Sequence, residues 1–309
     1  MNPILSFVEH QGFMMLDGGL ATTLEAHGCD LDDPLWSARA LLESPAIIKD
    51  VHRAFLDAGA DCIATASYQA TIEGFVARGC SLAEARGLIQ RSATLALAAR
   101  DEFWAYEPNR TGRLRPLVAA SIGPYGAFLA DGSEYRGDYG LDESALYAFH
   151  AERWHLLAAT DVDLMACETI PSLPEIRALL GLVDETSRWT WVSLSCRDVR
   201  HLCDGTDVRE VATLCDTVPK VAAVGVNCVA PSMVTGLVET LSRVTHKPVL
   251  VYPNSGEQYD AVEKRWTGVA EPTHWPLAEW RAVGAKGIGG CCRVPPGAIG
   301  DMRRRLGRM

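Results

Sequence analysis

The 309-residue chain has no apolar run approaching the roughly 18 residues of a membrane-spanning helix, which excludes that class of membrane protein. It also lacks a basic surplus. Its 29 Lys and Arg stand against 39 Asp and Glu, a formal net charge of −10 at pH 7. Nucleic acids and anionic membrane surfaces are bound through basic patches, so neither is an expected partner. A cationic substrate is compatible with the charge, although a surplus of acids also serves solubility. The opening stretch MNPILSFVEHQGFMML has neither the basic n-region nor the small-residue cleavage site of a secretory signal, and a cytoplasmic setting is expected. In that setting the ten cysteines are expected as reduced thiols rather than as a disulfide framework. No Gly-x-Gly-x-x-Gly turn follows the first apolar run, which argues against an open dinucleotide-binding sheet. No Cys-x-x-Cys pair of a zinc finger and no low-complexity linker occur either.

What is present is a regular alternation. Eight short apolar runs recur: FMMLD (13–17), DCIATAS (61–67), PLVAASI (116–122), VDLMAC (162–167), WTWVSLS (189–195), VAAVGVN (221–227), PVLVYP (248–253) and AKGIGG (285–290). Continuous rather than alternating apolarity suits parallel strands covered on both faces. Amphipathic stretches lie between them. One opens with Ser44 as the expected N-cap and Pro45 at the first helical position, and closes at Gly59. Eight β/α units in one chain imply a closed (β/α)₈ barrel of the TIM type, with residues 1–309 as a single domain. The longest irregular stretch, GPYGAFLADGSEYRGDYG (123–140), is expected as a loop on the active-site face. The basic tail MRRRLGRM reads as the solvated end of a last helix.

In such a barrel, chemistry sits where strands end and βα loops begin. The sixth run ends in GVNC, placing Cys228 at its tip, and the eighth ends in GGCC, placing Cys291 and Cys292 at its tip. A disulfide between sequence neighbours is strained, and two cysteines packed as small hydrophobes need not be adjacent. Three thiolates converging on one Zn²⁺ account for the pattern and leave the fourth position to substrate. Cys29, Cys62, Cys80, Cys167, Cys196, Cys203 and Cys215 are read as small buried residues. A zinc carrying three thiolates polarises carbonyls poorly but holds a further thiolate well. A free alkyl thiol has a pKa of about 8.5 or above, so metal binding deprotonates it at neutral pH. The chemistry implied is attack by a substrate thiolate on an electrophilic carbon. Other strand tips suit a small zwitterion: Asp17 and Glu168 for an ammonium, and the backbone of Gly18 and Gly19 for a carboxylate. Asn254 and Ser255 add polar groups on the same rim.

LDGGLATTLE, DDPLWSARALLESPAIIKDVH, ATASYQAT, SIGPYGAFLADGSEYRGDY, ACETIPS, GVNC, VYPNSGEQYD and GGCCR, in this order, resemble the homocysteine S-methyltransferase family from about residue 13 to about residue 300. Within it, the motifs look like those of the S-methylmethionine:homocysteine methyltransferases. The resemblance implies a (β/α)₈ barrel with Cys228, Cys291 and Cys292 as zinc ligands. It also implies that Asp17, the Gly18–Gly19 loop and Glu168 bind homocysteine. Gly19 is a small departure, since close relatives often carry alanine there. The implied reaction transfers a methyl group from a sulfonium, S-methylmethionine or S-adenosylmethionine, to homocysteine, forming methionine. Tyr68, Tyr125, Tyr135 and Tyr139 are candidates to face the sulfonium, because aromatic faces attract onium groups; packing is the competing role. Selenium-containing acceptors, a barrel subunit of a corrinoid-dependent methionine synthase and a non-catalytic zinc- or thiol-binding protein are the alternatives.

Overall fold

The computed structural model describes residues 1–307 apart from 32, 34, 187, 261–264 and 271–273. Each of the eight apolar runs contributes one strand to a single parallel sheet. In chain order these are β1 (Met14–Met15), β2 (Cys62–Ala64), β3 (Leu117–Ile122), β4 (Leu164–Ile170), β5 (Thr190–Leu194), β6 (Val221–Asn227) and β7 (Val249–Tyr252). A hairpin, β8 (Gln258–Asp260) with β9 (Arg265–Thr267), precedes the last barrel strand, β10 (Ala285–Ile288). The order is β1-β10-β7-β6-β5-β4-β3-β2. A parallel bridge between Leu16 and Cys62 closes the ring, reinforced by the Asp61 N–H donating to the Met15 carbonyl at 2.7 Å. This is a (β/α)₈ barrel. The hairpin is an addition to the expected pattern of eight strands.

Helices cover the outside, and most of the core lies between them and the sheet. A second cluster fills the barrel: Met14, Leu16, Cys62, Ala119, Ala166 and Trp191 are among its members. Ile4 and Phe7 join it from the first helix, Pro3–Gln11, which plugs the bottom of the barrel. The helix Leu82–Ala105 starts on a complete capping box between Ser81 and Glu84.

Three local expectations change. Ser44 makes no side-chain cap for the helix Pro45–Ala58, because its hydroxyl turns to the Cys29 thiol; Pro45 and the left-handed Gly59 keep their expected places. The stretch 123–140 is not wholly irregular, since Tyr125–Leu129 forms a short helix and Ser133–Tyr135 a 3₁₀ turn. The basic tail is not simply solvated. Arg303, on the last helix Pro296–Leu306, reaches the buried Asp61 under the barrel, Nη1 to Oδ2 at 2.7 Å.

Candidate active site

Cys228 follows β6, and Cys291 and Cys292 lie in the turn after β10; only β7 stands between the two strands. The sulfurs of all three lie within 4.8 Å of one another. Cys228 and Cys291 are joined in a disulfide, with their Cα atoms 5.6 Å apart, and the Cys228 and Cys292 sulfurs are 3.9 Å apart. The other eight cysteines are free, with Cys29, Cys80, Cys203 and Cys292 only half-buried. The expectation of ten reduced thiols is therefore corrected at one pair. Thiols gathered close enough to share a cation are also close enough to bond each other when no cation separates them.

The donor set fits a metal. A tetrahedral zinc with Zn–S bonds of about 2.3 Å separates its sulfurs by about 3.8 Å, close to the distance between Cys228 and Cys292. Burial pushes the Cys292 thiol up to about 12, so a positive charge is needed to hold it as thiolate. Backbone contacts tie the elements of this centre together: Cys291 N–H to the Pro253 carbonyl at 2.8 Å, and Ser255 N–H to the Cys292 carbonyl at 3.1 Å. The β1 loop packs backbone-to-backbone on the same turn. A Cβ on Gly18 would lie 2.3 Å from the Val294 carbonyl, and one on Gly19 would lie 2.8 Å from the Cys291 carbonyl. The Gly19 N–H is spent on the Val294 carbonyl at 2.9 Å.

Asp17 and Glu168 face the same mouth. The Ala64 N–H donates to Asp17 Oδ2 at 2.8 Å. Burial nevertheless holds the Asp17 carboxyl well above its ordinary range, and the neighbouring Glu168 adds to the rise. Glu168, near the end of β4, is 9 % exposed and accepts from the Ser121 hydroxyl at 2.5 Å. Burial pushes it up to about 7 against the Ser121 and Tyr252 hydroxyls that favour its charge. Neither acid has an ion-pair partner among the described residues. Asn254 lines a cavity of about 980 Å³ together with Cys228, Tyr135 and Trp275, and its buried Oδ1 has no hydrogen-bond partner. Ser255 instead turns its hydroxyl to Glu257 at 2.8 Å.

The residues that sequence reasoning missed brace this site. Asn227 clamps Thr169 by two bonds, accepting from its N–H at 2.8 Å and donating to its hydroxyl at 2.7 Å. Thr169 and Cys228 both hold left-handed backbone, with φ of 61° and 50°, a conformation that costs such residues about 1–3 kcal/mol each. Asn227 thus locks the strained segment beside Glu168 to the strand that delivers Cys228. Its place in GVNC, at a strand tip, was the available signal.

The four tyrosines divide. Tyr125 and Tyr139 pack edge-on with ring centroids 5.4 Å apart, and Tyr125 also meets Phe149 at 4.9 Å, which is packing. Tyr68 and Tyr135 lie near Cys292, and Tyr68 also meets Trp36 edge-on with ring centroids 6.5 Å apart. Beneath their loops, Glu175 accepts from the Tyr125 N–H at 2.6 Å and meets His150 Nε2 at 2.8 Å. Arg153 donates to the Gly123 carbonyl at 2.7 Å, the Tyr68 carbonyl at 3.2 Å and His150 Nδ1 at 2.9 Å. With Nδ1 accepting, the proton of a neutral His150 sits on Nε2, facing Glu175; burial lowers the His150 pKa, consistent with the neutral ring.

A family model described as "Homocysteine S-methyltransferase" matches residues 14–306. The chain belongs to the homocysteine S-methyltransferase family. It is 48% identical over 305 residues to Homocysteine S-methyltransferase YbgG of Bacillus subtilis (strain 168), covering 98% of this chain and 97% of that one. It superposes on the metallated form of the homocysteine methyltransferase MmuM from Escherichia coli with a TM-score of 0.89 at 44% identity, covering 98% of this chain and 100% of that one. The oxidized form of the same enzyme gives a TM-score of 0.89 at 44% identity, covering 99% and 100%. This chain is accordingly an enzyme that transfers a methyl group to homocysteine. No described helix is long and apolar enough to cross a membrane.

Proposed function

We propose that the methyl donor is a sulfonium, S-methylmethionine, and that the reaction depends on one zinc held by Cys228, Cys291 and Cys292. The observation that carries this is the convergence of three sulfurs within 4.8 Å at two strand tips, on the rim that also carries Asp17 and Glu168, without an ion-pair partner among the described residues. When bound, zinc supplies the positive charge that lets the homocysteine sulfur ionise at neutral pH and remain nucleophilic. The protein does the rest by placement. Asp17 and Glu168 hold the ammonium of homocysteine, ionising as it arrives, while Ser121 and Tyr252 orient Glu168. With Gly19 N–H engaged, the carboxylate falls to the Gly18 N–H, and Asn254 Oδ1 accepts from the substrate's polar end. Tyr68 and Tyr135 face the sulfonium.

In the transfer, a sulfur lone pair of homocysteine forms the new bond to the methyl carbon. The old carbon–sulfur bond breaks, and its pair returns to the sulfonium sulfur. The thiol proton leaves to solvent, and the products are methionine and a neutral thioether, which is again methionine when S-methylmethionine donates. Opposite charges cancel along the path, so a water-poor mouth favours the reaction. Residues 1–309 work here as one homocysteine-binding barrel, in the cytoplasm, where the Cys228–Cys291 bond is reduced and its thiols are free for metal. The test is methionine formation from homocysteine by the chain alone, with S-methylmethionine and with S-adenosylmethionine, before and after chelation. Turnover with S-methylmethionine that chelation abolishes and zinc restores is expected. Turnover with only the adenosyl donor, or turnover that survives complete removal of metal, would contradict the reading.

A further inference from the structure

Glu134 is a carboxylate without an evident purpose. It lies in the 3₁₀ turn Ser133–Tyr135 of the long loop after β3; its own backbone N–H bonds the carboxylate, but its Oε2 is sealed from water with no hydrogen-bond partner among the described residues. Its one cationic neighbour in the loop is Arg136. That guanidinium is already engaged, donating to Ser133 Oγ at 2.8 Å and lying 3.6 Å from Asp131 and 3.5 Å from Asp138. A carboxylate oxygen sealed from water without a partner is costly, and proteins resolve the cost by a proton or by a cation.

The surroundings say where such a cation would sit. The charge of Glu134 is felt by the Cys292 thiol and by the hydroxyls of Tyr68 and Tyr135. Its neighbours Asp131, Gly132, Tyr135 and Arg136 line the cavity of about 980 Å³ that Cys228 and Asn254 also line. The ammonium of homocysteine has its own acids in Asp17 and Glu168. What remains uncompensated is the charge of the second substrate, at the end that must meet the homocysteine sulfur.

We propose that Glu134 is the counter-charge for the donor's sulfonium, and that with Tyr68 and Tyr135 it selects a cationic methyl donor over a neutral one. This rests on the sulfonium reading above. The sulfonium loses its charge as the methyl departs, so the attraction is strongest in the ground state and belongs in donor binding rather than in the rate of transfer.

The experiment compares S-methylmethionine with 2-amino-5-methylhexanoate, in which an uncharged carbon replaces the sulfonium sulfur. Binding of each to reduced, zinc-loaded wild type, Glu134→Gln and Glu134→Asp is measured by calorimetry, alongside steady-state kinetics. Glu134→Gln is expected to weaken S-methylmethionine binding about tenfold to a hundredfold, and to leave the neutral isostere and the KM for homocysteine unchanged. Glu134→Asp keeps part of the preference, and kcat at saturating donor holds or rises in both variants. Equal losses for both ligands would show a merely structural role and overturn the proposal, as would an unchanged preference in Glu134→Gln. If Glu134→Gln does not fold, a Glu134→Asp protein that keeps the full wild-type preference overturns it too. Wild type that turns over S-methylmethionine while Glu134→Gln keeps the full preference sinks this inference alone; wild type that neither binds nor uses S-methylmethionine sinks the sulfonium reading with it.

Discussion

At the bottom of the barrel, Asp61 Oδ2 accepts from Gln11 at 2.5 Å, from the Met15 N–H at 2.8 Å and from Arg303 at 2.7 Å. Arg113 approaches its other oxygen at 3.9 Å. At the mouth, Glu168 has two hydroxyls and Asp17 one backbone N–H, with no guanidinium or ammonium paired to either among the described residues. All three carboxyls are raised by burial. Only at the bottom do cations work against that rise. The bottom closes the ring and ties the last helix to the first two strands. The mouth leaves its acids without an ion pair among the described residues, and on the proposed reading they ionise to pair with an arriving ammonium. On that reading, one barrel uses the same residue class for stability at one end and for recognition at the other.

The comparison breaks hardest at the metal. Replacing Cys228, Cys291 or Cys292 by alanine removes a proposed ligand, and zinc is expected to fall from one per chain to well below it, with methyl transfer at background. Metal analysis of the reduced variants checks this, and full zinc occupancy in Cys292→Ala would falsify the assignment. At the bottom, Asp61→Ala strands Arg303 and is expected to cost about 3–5 kcal/mol of stability. Urea unfolding reads the loss, while the folded fraction keeps its homocysteine kinetics. A kinetic defect there would erase the division of labour.

Smaller effects sharpen the contrast. Asp17→Asn and Glu168→Gln are expected to lower kcat/KM for homocysteine about tenfold to a hundredfold, since each removes a hydrogen bond to a charged group. Zinc stays, and stability at pH 7 is kept or improved, the opposite of Asp61→Ala. Smallest is a slope in pH. With its folded pKa raised to about 7, Glu168 binds more proton in the native than in the unfolded chain between its ordinary value and 7. Stability of the metal-free protein should therefore fall as pH rises through that window, by at most about 1.4 kcal/mol per unit from this group. Glu168→Gln should remove that contribution, and an identical pH profile in the variant would place the titration elsewhere.

The barrel was legible in the sequence because each buried parallel strand leaves a short apolar run, and eight such runs survive between amphipathic stretches. Even β1, only Met14–Met15 in extent, sits inside its run. The strand-tip rule likewise located Cys228, Cys291, Cys292, Asp17 and Glu168, which the structure brings to one rim. What escaped was partnership between distant segments. Ser44 was a good cap by local rules, but Cys29 took its hydroxyl. Arg303 looked like tail charge until the fold brought Asp61 under it. Asn227, Ser121 and Glu134 each stand within motifs whose meaning appears only when another loop arrives, and the Cys228–Cys291 bond depends on convergence across β7.

The most direct test counts protons. Homocysteine and homoserine differ only in thiol against hydroxyl, so protons released by Asp17 and Glu168 on meeting the ammonium cancel between them. At pH 7 the free thiol is largely protonated, and the hydroxyl stays protonated in either state. Calorimetry of both ligands on reduced, zinc-loaded enzyme, in two buffers of different ionisation enthalpy, should show about one more proton released by homocysteine than by homoserine. A difference near zero, with zinc present, would mean that the homocysteine sulfur binds as a thiol, and the account of how this barrel makes its nucleophile would be wrong.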